Sequence, residues 1–98
     1  MLYLYCISNS RGGCKFGYSR DPLARVRSLQ TGSSSQLELV HSIPVDPQRV
    51  RELERLLHRE IGLHRRVKGE WFTIDSHSAK KLLLWFEIRY CSEPNSGA

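Results

Sequence analysis

The chain has 98 residues, 40% of them hydrophobic and 26% charged, which suits one small domain with its own core and is too short for two. Lysine and arginine outnumber aspartate and glutamate by 15 to 10, and this net charge of +5 favours a polyanionic partner. The three cysteines have no C-x-x-C spacing, which argues against a disulfide framework or a zinc knuckle and favours a reducing compartment. No apolar run reaches the roughly 18 residues of a membrane span. We therefore expect an intracellular, cytoplasmic protein.

The chain begins with a predicted β-hairpin. Residues 2–7 are rich in tyrosine and apolar side chains, a glycine-containing turn follows, and residues 14–18 form the second short strand. Because side chains alternate along a strand, Tyr5 lies on the face opposite to Leu4 and Cys6.

A first helix follows, with Asp21 at its N-cap, Pro22 in its first turn and Gly32 at its end. Its apolar stripe at helical spacing consists of Leu23, Val26 and Leu29. The third strand spans residues 36–45. Alternation puts four of its side chains on one face, namely Leu37, Leu39, His41 and Ile43.

The second half of the chain is predicted to be mainly helical. The pair Asp46-Pro47 repeats the cap pattern and opens a longer helix that ends at Gly62. A short extended element over residues 70–74 and a last helix over residues 75–91 follow, and Asp75 or Ser76 is predicted to cap that helix. The order β-β-α-β-α-(β)-α predicts a small α/β (α+β) fold with helices flanking a short sheet. We expect one domain over residues 1–91 and a flexible tail over residues 92–98.

One carboxylate of the second helix is placed unusually. Glu54 lies about 40° from Val50 around the helix, so that it borders the apolar stripe, and His58 lies one turn later on the same flank. A carboxylate at a core edge needs a cation, a metal ion or a hydrogen-bond donor. The alternative interpretation is an ordinary ion pair of Glu54 with His58 or with an arginine of the helix.

Three further side chains suit phosphodiester chemistry. Arg25 lies about 40° beyond Leu29, at the edge of the first helix's stripe, while Tyr5 and Lys15 are predicted to share one face of the hairpin. Around a carboxylate that holds Mg²⁺ or Mn²⁺, an arginine stabilises transition-state charge and a tyrosine, or a water it orients, passes on a proton. Taken singly, the tyrosine also fits sheet packing and the arginine a solvated surface.

These residues resemble the GIY-YIG nuclease superfamily, and in particular its compact phage and bacterial branch. The resemblance runs from Tyr3 to Ile74, and it rests on the order of the motifs together with an arginine eight residues after the glycine. The matching segments are Leu4-Tyr5-Cys6-Ile7, Lys15-Phe16-Gly17-Tyr18-Ser19 with Arg25 after it, Leu29-Gln30-Thr31-Gly32, Glu54-Arg55-Leu56-Leu57-His58 and Gly69-Glu70-Trp71-Phe72.

The resemblance implies a three-stranded antiparallel sheet flanked by helices, and a role for each matching residue. Tyr5 matches the tyrosine proposed as general base or activator of the attacking water, and Gly17 matches the glycine of the second motif. Arg25 matches the arginine that contacts the scissile phosphate. Glu54 matches the ligand of a single divalent metal ion, Mg²⁺ or Mn²⁺.

The sequence departs from the superfamily's pattern at three places. Lys15 replaces the tyrosine of the second motif and can hold phosphate, but it is not the same acid–base group at neutral pH; Tyr18 is a conceivable substitute. Leu29 stands where many members carry histidine or tyrosine, and His58 or His41 is a conceivable replacement. The late asparagine of several branches is also missing.

The remaining basic residues form two groups. The arginines of the second helix fit a solvated face, whereas the loop after it is predicted to bind nucleic acid through Arg65, Arg66 and Lys68. Trp71 and Phe72 are predicted to be core residues. A second apolar stripe on the last helix, made of Leu84, Ile88 and Cys91, suggests a homodimer.

Three functions therefore remain open. We predict a metal-dependent endonuclease that acts on DNA in preference to RNA; the alternatives are an inactive nucleic-acid-binding module and a protein-interaction domain.

Overall fold

The computed structural model describes residues 1–62, 66–68 and 71–91, with residues 66–68 as backbone only. The elements are β1 (Leu2–Asn9), β2 (Cys14–Ser19), α1 (Pro22–Thr31), β3 (Leu37–Val45), α2 (Val50–Ile61), β4 (Arg66–Lys68), β5 (Trp71–Phe72) and α3 (Ser76–Phe86), which continues as a π-helical turn over Glu87–Cys91.

The strands form one antiparallel sheet in the order β3-β1-β2-β5-β4. The predicted α+β class and the three-stranded core β3-β1-β2 are confirmed, but the sheet is wider than three strands. The segment predicted as a basic loop contributes β4, which pairs with β5, and β5 in turn pairs with Cys14 and Lys15 of β2.

Helices cover both faces of this sheet. The helices α2 and α3 pack on the face that carries Leu4, Cys6 and Phe16, and α1 packs on the face that carries Tyr5 and Ile7. The alternation predicted for the first strand is therefore confirmed. The predicted stripe of α1 is wrong at one position: Leu23 is 58% exposed, because only Val26 and Leu29 of the predicted stripe reach the sheet.

A β-bulge divides β3 between the two faces. The register with β1 steps from Cys6–His41 to Ile7–Leu39, so that β3 carries one extra residue at this point. As a result Leu39 packs on the α1 face and Ile43 packs on the α2 face. The prediction that alternate apolar residues of β3 all share one face is wrong, because a bulge reverses the alternation beyond it.

The second helix begins later than predicted. The Asp46 carboxylate accepts a hydrogen bond of 2.9 Å from the Gln48 amide, and the Asp46 carbonyl accepts one of 2.9 Å from the Arg49 amide. These bonds form a turn ahead of the helix, which starts at Val50 with Arg49 as its N-cap. The aspartate thus stabilises a turn instead of capping the helix.

The last helix has the predicted N-cap, since the Asp75 carboxylate accepts a 2.7 Å hydrogen bond from the Ser78 amide. Its outer side leaves three large apolar side chains exposed: Leu84, Trp85 and Ile88. Within the described part of the chain, no helix is both long enough and apolar enough to cross a membrane. The predicted tail over residues 92–98 lies outside the described residues.

Candidate functional site

Tyr5 reaches from one strand across the next. It pairs with Gly17 in the register of β1 and β2, and its side chain is 2% exposed. A Cβ added to Gly17 would lie 2.7 Å from the Tyr5 Oη and 2.9 Å from its Cζ, so the phenol ring lies directly over the glycine backbone. The glycine therefore lets the ring carry its hydroxyl from β1 over β2.

Lys15 lies beside this tyrosine. It pairs with Ile7, one step along the same face of the hairpin, and its side chain is half-buried. Its Nζ is 6.0 Å from the centre of the Trp71 ring, at the outer limit of a cation–π contact. Tyr5, Lys15 and Gly17 share one face, as predicted from the alternation.

Arg25 projects from the helix that covers this face. The start of α1 is fixed by Asp21, which accepts a 3.1 Å hydrogen bond from the Ala24 amide, and by the buried Pro22. Val26, the next residue, packs against the cluster that contains Tyr5, which places Arg25 at the edge of the interface with an exposed side chain.

The side chains of α2 approach β2 from the opposite face. The His58 Nε2 donates a 3.3 Å hydrogen bond to the Phe16 carbonyl, and its ring meets the Phe72 ring edge-on at 5.7 Å. The Gly13 carbonyl accepts a 2.9 Å hydrogen bond from the Asn9 amide of β1, and because strand carbonyls alternate in direction, the Phe16 carbonyl points to the outer edge of β2. Glu54 is half-buried one turn before His58 on the same flank.

The predicted site is therefore divided by the sheet. Tyr5, Lys15 and Arg25 belong to the α1 face, whereas Glu54 and His58 belong to the α2 face. Both groups lie beside β2, which has no neighbouring strand beyond Lys15 on its outer side among the described residues. The outer edge of β2 is the place where one phosphodiester group would meet both.

A metal ion at this edge would have few protein ligands. The described residues contain no group of three or more His, Cys, Asp or Glu side chains placed to hold a metal ion. A single carboxylate, Glu54, fits Mg²⁺, which commonly keeps several waters and takes its other ligands from substrate phosphate oxygens.

The other predicted site residues lie elsewhere or outside the description. Tyr18 is 39% exposed and, by alternation, lies on the face opposite to Lys15, so it does not take the place of the missing tyrosine beside Tyr5. Arg65 lies outside the described residues. Arg66 and Lys68 are described only as backbone of β4.

Sequence reasoning did not find the role of Gln30. Its amide nitrogen donates a 2.8 Å hydrogen bond to the Ser35 carbonyl, and its Oε1 accepts one of 2.8 Å from the Leu37 amide. The side chain therefore fixes the loop between α1 and β3. The motif Leu29-Gln30-Thr31-Gly32 marked this position in the sequence, but it gave no indication of the contact.

This loop and the β1–β2 turn enclose a cleft of about 520 Å³ on the α1 face. Trp71 lines the cleft and is half-buried, whereas Phe72 is 2% exposed. The prediction that both are core residues is confirmed for Phe72, whereas Trp71 packs at the margin of the core cluster on the α1 face, where the cleft leaves it partly uncovered.

One comparison with known proteins identifies a domain family. The family model of the T5orf172 domain matches residues 1–87, and this phage-associated domain is related to GIY-YIG nuclease-like folds. Comparison with curated proteins and with solved structures gives no match.

Proposed function

Because the chain belongs to the T5orf172 domain family, we propose that it is a metal-dependent endonuclease that hydrolyses phosphodiester bonds in nucleic acid, DNA in preference to RNA. One observation carries the proposal: the Tyr5 hydroxyl crosses Gly17 to β2, the strand that Glu54 and His58 flank from the other face. The family's relation to nuclease-like folds supports the same activity.

In this proposal the two faces of the sheet have different tasks. The Tyr5 hydroxyl orients the attacking water or relays its proton, because it lies over Gly17 of β2 and a phenol can both donate and accept a hydrogen bond. Arg25 stabilises the negative charge that grows on the phosphate oxygens in the transition state. Its exposed guanidinium pairs with no carboxylate of the described residues and is accessible to a phosphate.

Glu54 is the residue that would hold the metal ion. Bound Mg²⁺ or Mn²⁺ supplies a Lewis acid for a phosphate oxygen. His58 positions this part of α2 against β2 through its hydrogen bond to the Phe16 carbonyl, so the carboxylate one turn away has a fixed place along the strand.

Lys15 favours a second candidate function, an inactive nucleic-acid-binding module. A lysine beside Tyr5 binds phosphate as a point charge, but it cannot act at neutral pH as the tyrosine of related sites does. Such a module would bind nucleic acid through its basic residues and its fold, and it would not need Glu54 to hold a metal ion. The charged strand and loop segment with Arg65, Arg66 and Lys68 would serve both functions, with strongly salt-dependent affinity.

We also propose a second copy of the chain as a partner, through α3 and its π-helical turn. Leu84 is 38%, Trp85 43% and Ile88 73% exposed, which is unusual for large apolar residues so close together. Light scattering should give a dimer mass that falls to the monomer in Ile88→Glu; a monomer at high concentration in the unsubstituted protein contradicts this proposal. The three free cysteines support a reducing, cytoplasmic location.

A nicking assay tests the main proposal. Supercoiled plasmid is incubated with the protein in Mg²⁺, Mn²⁺ or EDTA, beside Glu54→Gln and Arg25→Ala proteins. Matched controls are Glu52→Gln and Arg27→Ala, which remove the same charges from exposed positions of the same two helices.

Metal-dependent nicking that both site variants lose and both controls keep supports the endonuclease. Absence of cleavage with either metal, together with retention of DNA in a gel shift, supports the binding module.

A further inference from the structure

The cleft on the α1 face has walls that the chain itself holds in place. On one side the Asn9 side chain accepts hydrogen bonds of 2.9 Å from the Arg11 and Gly13 amides, which fixes the β1–β2 turn. On the other side Gln30 holds the loop of Ser33, Ser34 and Ser35. Direct contacts join the two walls, including the Ser10 Oγ with the Gln36 amide at 3.3 Å. Such a cleft does not need to be assembled by its ligand.

The lining of the cleft combines an aromatic face with polar groups. Trp71, Leu29 and Leu37 supply the apolar surface, while Arg11 and the serines supply donors and acceptors at the rim. Its volume of about 520 Å³ lies within the roughly 300–1,000 Å³ of typical small-ligand sites. A planar base with a phosphate attached matches this lining, since the base stacks on an indole and the phosphate pairs with a guanidinium.

The cleft adjoins the candidate site. The turn at Asn9 is four residues beyond Tyr5 on the same strand, a distance of about 14 Å at 3.4 Å per residue. Lys15 lies between the two, because it pairs with Ile7 on the face that carries Tyr5 and its Nζ is 6.0 Å from the centre of the Trp71 ring. A strand whose phosphate lies at the edge of β2 near the Tyr5 hydroxyl would therefore bring a base to Trp71 within a few nucleotides.

We infer that this cleft binds one unpaired nucleobase of the nucleic-acid substrate, stacked on Trp71 and held at its rim by Arg11. The inference rests on the proposed function, which identifies the bound polymer as nucleic acid, but binding of the base does not require cleavage. The site would favour substrates that offer an unstacked base a few nucleotides from the phosphate to be cut, such as single strands, mismatches or flaps.

The experiment uses tryptophan fluorescence in EDTA, where no metal-dependent cleavage occurs. The chain has two tryptophans, so Trp85→Phe makes Trp71 the single reporter. This protein is titrated at low salt with a decamer of thymidylate and with an abasic decamer of the same charge. Stacking predicts saturable quenching by the thymidylate decamer and little quenching by the abasic one.

Two variants in the Trp85→Phe background locate the binding. Ser34→Leu places a bulky side chain without an aromatic ring at an exposed position of the cleft wall and should weaken thymidylate binding about ten-fold or more, in line with the loss of one base–aromatic stack. Ser28→Leu makes the same change at an exposed position of α1 outside the cleft and should leave the affinity unchanged. Circular dichroism confirms that both variants fold.

Absence of quenching by the thymidylate decamer, equal quenching by the abasic decamer, or equal affinities of the two serine variants would overturn the inference. The nicking assay remains independent of these readings. Cleavage without base binding in the cleft would support the endonuclease and contradict only the inference about the cleft. Base stacking without cleavage would support the cleft as part of a binding module.

Discussion

Replacing Gly17 with alanine tests the central feature of the site. The new Cβ would lie 2.7 Å from the Tyr5 Oη, so the ring must move by about 0.7 Å to regain an ordinary contact of 3.4 Å. Overpacking of this kind costs about 1–3 kcal/mol, and removal of a glycine from a strand returns about 0.5–1 kcal/mol. We expect a net loss of about 1–2 kcal/mol, which lowers the melting temperature by about 5–15 °C.

Denaturant unfolding and plasmid nicking measure the two consequences of Gly17→Ala. A displaced Tyr5 hydroxyl should lower cleavage by about ten- to hundred-fold, since a misplacement near 1 Å has effects of this size. Gly32→Ala is the matched control for stability, because no atom lies within 4 Å of its added Cβ. In a Tyr5→Leu background the Gly17→Ala change should cost less, as the clashing atoms are gone. A Gly17→Ala protein as stable as the unsubstituted one would refute the close packing of Tyr5 over Gly17.

Three further predictions concern stability and thiol reactivity. His58→Ala should lower the unfolding free energy by about 1 kcal/mol, because the Phe16 carbonyl loses its donor; urea unfolding measures this, and an unchanged midpoint contradicts it. Hydrogen bonds from Ser78 hold the pKa of Asp75 below its usual value. The ionised cap therefore stabilises the fold above about pH 4, which is the pKa of an aspartate in the unfolded chain. This contribution disappears as the pH falls through the lower pKa that Asp75 has in the folded protein. The stability difference from Asp75→Ala should therefore shrink in acid, and a constant difference from pH 6 to pH 2 contradicts the cap. Cys91 should be the only thiol of the folded protein that reacts with a disulfide reagent, because Cys6 and Cys14 are fully buried. Its reaction should be slow, because burial raises the pKa of the Cys91 thiol. Labelling that is retained in Cys91→Ser would be inconsistent with this.

Local patterns were sufficient to predict much of the fold. The caps at Asp21 and Asp75 follow from side chains that bond the next turn's amides, and the placement of Tyr5 on the face opposite to Leu4 follows from strand alternation. Predictions of this kind succeed because the interactions lie within a few residues of sequence. The cap pattern at Asp46 led to a wrong prediction of the start of α2, because an aspartate also stabilises turns.

The features that the sequence did not reveal depend on contacts between distant segments. The bulge in β3 arises from its pairing with β1 and is invisible in the alternation of β3 alone. The hydrogen bond from His58 joins residues 42 positions apart, and the cleft requires that the β1–β2 turn meet the loop held by Gln30. The spacing of Tyr5, Gly17 and Arg25 indicated candidate site residues, but not that the sheet separates them from Glu54.

That separation limits how the site can act. The Tyr5 hydroxyl reaches β2 only because Gly17 lacks a side chain, and the flank of α2 that carries Glu54 reaches β2 from the other face through His58. A phosphate bound between them must therefore lie at the edge of the strand and not over either face. Because helices cover both faces of the sheet, a nucleic-acid strand can reach both groups only along this edge. An unpaired base bound in the cleft beside Trp71 would guide the strand along this edge, and we therefore expect flexible or mismatched substrates to be cut faster than an intact duplex.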